Sequence, residues 1–98
     1  MPIGPGQGWF PFSRPSILAN APNASGVYAL YNPQIWIYLG ESGDLQARLL
    51  QHLGGDNACI TQNGPTGFQF ELSPAAQRVA RQNQLIAALG PICNQRFG

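Results

Sequence analysis

The chain has 98 residues, enough for one domain with a modest core. Only 9% of them are charged, against a usual ~25%, no lysine is present, and the net charge is +1. This excludes tight non-specific binding of nucleic acid through a broad basic surface, because that affinity scales with the number of phosphates neutralised. No apolar run approaches the ~18 residues of a membrane span.

Residues 1–24 are rich in Pro, Gly, Asn and Ser, with Trp9, Phe10 and Phe12 among them. They predict an irregular arm whose aromatics pack on the adjoining domain, residues 25–98. The start of the chain has no basic stretch leading into an apolar one, so a cytoplasmic protein is expected rather than a secreted one. Cys59 and Cys93 lack Cys-x-x-Cys spacing and are read as free thiols in a reducing compartment, a single disulfide being the alternative.

Next, "GVYALYNPQIWIYLG" contains two β-rich runs, 26–31 and 35–39, separated by "NPQ". This is a hairpin signal. Strict alternation puts Trp36 and Tyr38 on one face of the second strand, opposite Ile35, Ile37 and Leu39. "ESGDLQARLLQHLGG" predicts a helix with Ser42 as candidate N-cap and Gly54 and Gly55 as its stop. Leu45, Leu49 and Leu53 form its apolar stripe, with Arg48 and His52 at the border between core and solvent.

"GDNACITQNGPTG" reads as a loop. "TGFQFEL" alternates as a half-buried third strand would, with Gln69 and Glu71 turned outward. "SP" opens the last helix with Ser73 as cap and Pro74 at its first position, and Gly90 and Pro91 end it. On that helix Ala75, Val79, Gln82, Ile86 and Leu89 fall within an arc of about 80° and predict the core-facing side. Gln82 is a neutral amide in the middle of it. Buried there, it would need partners, and Tyr28 and Arg48 are the natural ones.

The expected fold is therefore a small α/β (α+β) domain of order β-β-α-β-α. It has a three-stranded, mainly antiparallel sheet flanked by helices, with an irregular N-terminal arm. The polar groups at the edges of its core are Tyr28, Tyr38, Arg48, His52, Gln82 and Asn94. One histidine and two separated cysteines make no zinc site.

At these residues the sequence resembles the GIY-YIG nuclease superfamily. "GVY" at 26–28 and "YLG" at 38–40 look like the two name-giving tripeptides, with nine residues between them. "YLGESGDLQARLLQHL" is similar to the stretch that carries the family's arginine and, in some members, a histidine one turn later. "QNQLIAALGPICN" is similar to its closing stretch. The likeness runs in order from Ser25 to Asn94.

The resemblance implies hydrolysis of a DNA phosphodiester with one divalent metal, magnesium or manganese. It gives Tyr28 the role of activating or orienting the attacking water, with Tyr38 assisting or binding phosphate. Arg48 would stabilise charge developing on the phosphate. His52 would contact phosphate or share the base role, and Asn94 would hold the site from beyond the last helix.

The departure is Gln82, which stands where the family carries its metal-binding glutamate. An amide offers a hard cation one neutral oxygen in place of a carboxylate. The expectation is a nucleic-acid phosphate-binding domain with hydrolysis lost or strongly impaired, and no metal needed as written. The alternatives are an active endonuclease and a non-catalytic protein-interaction module. In the first, Gln82 is engineered or Glu41 compensates.

Overall fold

The computed structural model describes residues 9–94. Its elements are β1 (Phe10–Pro11), α1 (Arg14–Asn20), β2 (Gly26–Tyr31), β3 (Trp36–Ser42), α2 (Leu45–Leu53), α3 (Ala58–Gln62), β4 (Gly67–Leu72) and α4 (Ala75–Leu89). A 3-10 turn, Ile92–Asn94, comes last. The strands form one antiparallel sheet in the order β1-β4-β2-β3. The three expected strands are its body, and the two-residue β1 pairs with β4 at the edge. The mixed α/β class and the β-β-α-β-α order hold for the body of the domain.

One face of the sheet carries Tyr28, Leu30, Phe68 and Phe70, and packs with Ile17, Leu45, Leu49 and Ile60 from the three N-terminal helices. The other face carries Val27, Ala29 and Leu39, covered by Leu85 with Ile86 and Leu89 of α4.

Several expectations are corrected. The first stretch is not wholly irregular: Ser13 caps α1 through its side chain, Pro15 sits in the first turn, and Ile17 is fully buried. A cap followed by a proline in the first turn starts a helix even in a Pro-rich context. The loop after α2 contains α3, capped by Asn57 through its bond from the Ile60 amide. Cys59 and Cys93 are bonded as a disulfide between α3 and the final turn. The thiols therefore no longer argue for a reducing compartment.

Trp36 and Tyr38 do not share a face. The β2–β3 register changes between Leu30/Tyr38 and Tyr31/Trp36, leaving Ile37 as the extra residue of a bulge. One extra residue moves the rest of the strand to the opposite side of the sheet. Trp36 therefore joins the α4 side, and Ile37 and Tyr38 the α2 side.

On α2, Asp44 rather than Ser42 caps the helix, and the third buried residue is His52 rather than Leu53, which is exposed. At 100° per residue Leu53 has drifted about 80° from Leu45, while His52 lies about 20° away. On α4 the side chain of Ser73 makes no cap, and the helix begins at Ala75. Leu85 is its buried residue, while Val79 and Ala75 are exposed. Val79 lies about 120° around the helix from Leu85.

Candidate functional site

The α2 side of the sheet gathers four of the expected site residues. Tyr28 lies opposite Gly40 across the β2–β3 ladder, and its ring lies over that glycine. A Cβ at Gly40 would run into the ring, so the last residue of "YLG" has to be glycine for the tyrosine of "GVY" to lie flat. The rings of Tyr28, Tyr38 and His52 form a triangle with centroids 6.2, 5.5 and 5.3 Å apart.

His52 comes from the inward side of α2 and its side chain is fully enclosed. Its Nε2 lies 2.6 Å from the Tyr28 hydroxyl, and its Nδ1 lies 2.9 Å from Oδ1 of Asp56. The other carboxylate oxygen of Asp56 accepts from Arg48 Nη1 at 2.8 Å, and the same nitrogen donates to Gln51 Oε1 at 2.6 Å. Arg48 and Asp56 are each about one third exposed, so the chain of contacts runs from a buried phenol to solvent.

The electrostatics follow from that gradient. Burial pushes the Tyr28 phenol well above its ordinary pKa, and the neighbouring Tyr38 adds to this, while Arg48 pulls the other way. Burial also holds the His52 imidazolium below the ordinary histidine value, against the attraction of Asp56. Burial of Asp56 is outweighed by His52 and Arg48, which hold its carboxyl below the usual range. Arg48 stays firmly protonated, since Tyr28 and Asp56 outweigh its own partial burial. At neutral pH the group is thus a neutral phenol, a neutral imidazole, a carboxylate and a guanidinium.

Asn94 meets the site through the backbone. Its Oδ1 accepts from the Leu39 amide at 2.7 Å and its Nδ2 donates to the Leu39 carbonyl at 2.8 Å. The side chain pairs with edge strand β3 as a neighbouring strand would, between Tyr38 and Gly40. The disulfide one residue earlier anchors the turn that presents it.

Gln82 makes no hydrogen bond to this cluster. It is half-buried on α4, the helix that covers the opposite face. The expectation that it bonds Tyr28 or Arg48 is corrected: those groups are bonded to His52, Asp56 and Gln51 instead. Glu41 is also turned to the α4 side, beside Val27, and accepts from Arg78 Nε at 2.7 Å. Arg78 Nη1 donates to Ser25 as well. Glu71 pairs with Arg81.

Sequence reasoning missed Asp56, which read as a loop residue. The signal was its spacing, four residues after His52 and eight after Arg48. Two glycines intervene and hid it. The chain nevertheless turns back through Gly55, at φ 90°, and returns the carboxylate to the helix side.

No family model matches the chain, and no curated protein matches it. Solved structures do match. The GIY-YIG N-terminal endonuclease domain of UvrC from Thermotoga maritima aligns at 26% identity and a TM-score of 0.73 in the form of a tyrosine-to-phenylalanine point mutant bound to its catalytic divalent cation. The alignment covers 85% of this chain and 94% of that one. The same domain bound to magnesium aligns at 25% identity and a TM-score of 0.72, over 84% and 94% of the two chains. The order of elements, the antiparallel sheet and these neighbours agree: the chain carries the fold of the GIY-YIG superfamily.

Proposed function

We propose that this is a GIY-YIG endonuclease-like domain that binds nucleic-acid phosphates, DNA foremost, and in which metal-dependent phosphodiester hydrolysis is lost or strongly impaired. Phosphate would meet the Arg48 guanidinium at the exposed end of the cluster, with Tyr38 beside it. The solved neighbours are endonuclease domains that bind a catalytic divalent cation, magnesium in one case. In this chain the donors do not fit such a cation.

One observation carries that half of the reading. The chain has four acidic residues, and each is already engaged. Glu41 is paired with Arg78, Glu71 with Arg81, and Asp56 with Arg48 and His52. Asp44 caps α2 and accepts from Asn23. Among the described residues no three His, Cys, Asp or Glu side chains converge. Gln82 supplies only a neutral oxygen. A cation would have to break an ion pair, or uncap α2 at Asp44, to gain one anionic ligand, which also removes the support for compensation by Glu41.

The Tyr28–His52 contact favours a second reading, an active nuclease, since a phenol bonded to an imidazole is one way to activate a water. A plasmid-nicking assay with magnesium or manganese separates the two. The chain as written should not nick, and Gln82→Glu should gain metal-dependent nicking. Robust cleavage by the unmodified chain that disappears in Arg48→Ala would overturn the impaired reading. Binding of a DNA duplex should weaken with salt and with Arg48→Ala. Salt-independent or absent binding would favour a protein-interaction module.

A further inference from the structure

We infer that Asp56 is a positioning residue: it fixes His52 in the Nδ1–H tautomer, so that the bare Nε2 faces the Tyr28 hydroxyl and the three side chains form a one-way proton relay. The inference rests on the nuclease-like function proposed for this site and deepens it.

The geometry leaves little choice of hydrogens. An ionised carboxylate can only accept, so the 2.9 Å contact to Asp56 requires a proton on Nδ1. A neutral imidazole carries one proton, so Nε2 is then an acceptor. The 2.6 Å contact to Tyr28 must be made by the phenol proton pointing at Nε2. The Tyr28 oxygen keeps its lone pairs for donors, the Arg48 guanidinium beside it and an incoming water. If Asp56 did not hold the ring, Nε2–H would point at Tyr28 and occupy those lone pairs.

The relay balances as an acid–base step. A water beside Tyr28 gives a proton to Oη as Oη passes its own to Nε2. The hydroxide oxygen bonds to phosphorus, the bond from phosphorus to the leaving oxygen breaks, and that oxygen takes a proton from solvent. His52 ends as imidazolium, and the Asp56 carboxylate opposes its charge. Nothing is oxidised or reduced. Arg48 joins the two ends, since it bonds Asp56 and carries the charge that meets phosphate. The groups facing His52 are Tyr28 and Tyr38 from the strands, Arg48 from its own helix, and Asp56.

Two measurements test it. Long-range 1H–15N NMR of the unmodified protein above pH 7 should show His52 with Nδ1 protonated and Nε2 bare. In Asp56→Asn, whose amide can donate to Nδ1, the tautomer ratio should shift toward Nε2–H by roughly tenfold or more. Asp56→Glu should restore the original form in part. A wild-type ring protonated on Nε2 overturns the inference, as does an unchanged ratio in a folded Asp56→Asn. The wild-type spectrum decides alone should the variant fail to fold.

The second measurement adds Asp56→Asn to Gln82→Glu and reads nicking against pH. The expected result is a fall in kcat of about 100-fold with KM little changed, and a displaced acid limb. An equal kcat and an identical pH profile overturn the relay. If Gln82→Glu fails to nick at all, the nuclease reading falls while the NMR result still decides the role of Asp56.

Discussion

The two faces of the sheet treat polar groups differently. On the α2 face, Tyr28 and His52 are buried and each of their polar atoms has a partner. On the α4 face, Gln69 is just as buried and neither atom of its amide has one. Both faces descend from the same alternating strands, so burial alone does not explain the contrast. A fully satisfied polar cluster costs little and is specific, whereas an orphaned amide is costly. The face with the satisfied cluster is the one whose geometry can do chemistry. The other face serves as the packing surface for α4.

The largest expected effect comes from cutting the link between the two faces. After α4 the chain returns over the edge of β3, where Asn94 pairs with Leu39, and it is fastened to α3 by the disulfide. The bridge closes a separation of 34 residues. Loop-closure entropy then gives a loss of about 4 kcal/mol for Cys93→Ser or for reduction. Urea denaturation with and without dithiothreitol would measure it, and equal midpoints would mean that the bridge does not form in solution. Next comes Gly40→Ala, whose methyl meets the Tyr28 ring. It should cost about 2–3 kcal/mol and loosen the Tyr28–His52 contact. The same substitution at Gly43, where a Cβ meets only Arg78 at 3.6 Å, should cost much less.

How much of this was legible in the sequence divides along the same line. Tyr28, Tyr38, Arg48 and His52 were found as one group because the tripeptides and the four-residue spacing are local signals, and local signals survive folding. The face of Trp36 was not legible, since a bulge at Ile37 inverts every parity count beyond it. The burial of His52 comes from helical drift that a fixed spacing of four ignores. Asp56 was hidden by the two glycines that end α2, and the disulfide joins chain segments that meet only in three dimensions. The lack of a bond from Gln82 to Tyr28 or Arg48 was hidden for the same reason: its helix face was legible, but not which side of the sheet that helix would cover.

The satisfied face should also be the one that feels acid. The folded-state pKa of His52 is lowered, by burial first, so folding disfavours its protonation. Its effect on stability is absent above the unfolded value of about 6.5 and grows as pH falls below it. Asp56, also lowered in the folded state, adds a second loss as pH falls below about 4, the unfolded value. The stability curve of the wild type should therefore fall on going from pH 7.5 to 5, with a slope that approaches one proton, about 1.4 kcal/mol per pH unit at most. His52→Gln should flatten that segment. A curve of unchanged slope would mean that His52 is protonated freely in the folded protein, and so is not held as the buried acceptor of the Tyr28 phenol.

The smallest effect should have the opposite sign. Gln69 sits opposite Ala29 in the ladder, beneath α4 among Val27, Leu39 and Leu85. Its amide was expected to face outward, and an outward amide would be solvated. Enclosed instead, it has lost its water without gaining protein partners, which costs about 1–3 kcal/mol. Leucine has a similar volume, and no bond has to be broken to introduce it. Gln69→Leu should therefore stabilise the domain by about 1 kcal/mol, part of the gain being lost to imperfect repacking. The spectra of Tyr28 and His52 should not change, because they lie on the other face. Destabilisation by Gln69→Leu would mean that the amide has a partner, an ordered water or a group that it meets in solution. The α4 face would then hold a polar site of its own, and the contrast between the two faces would fail.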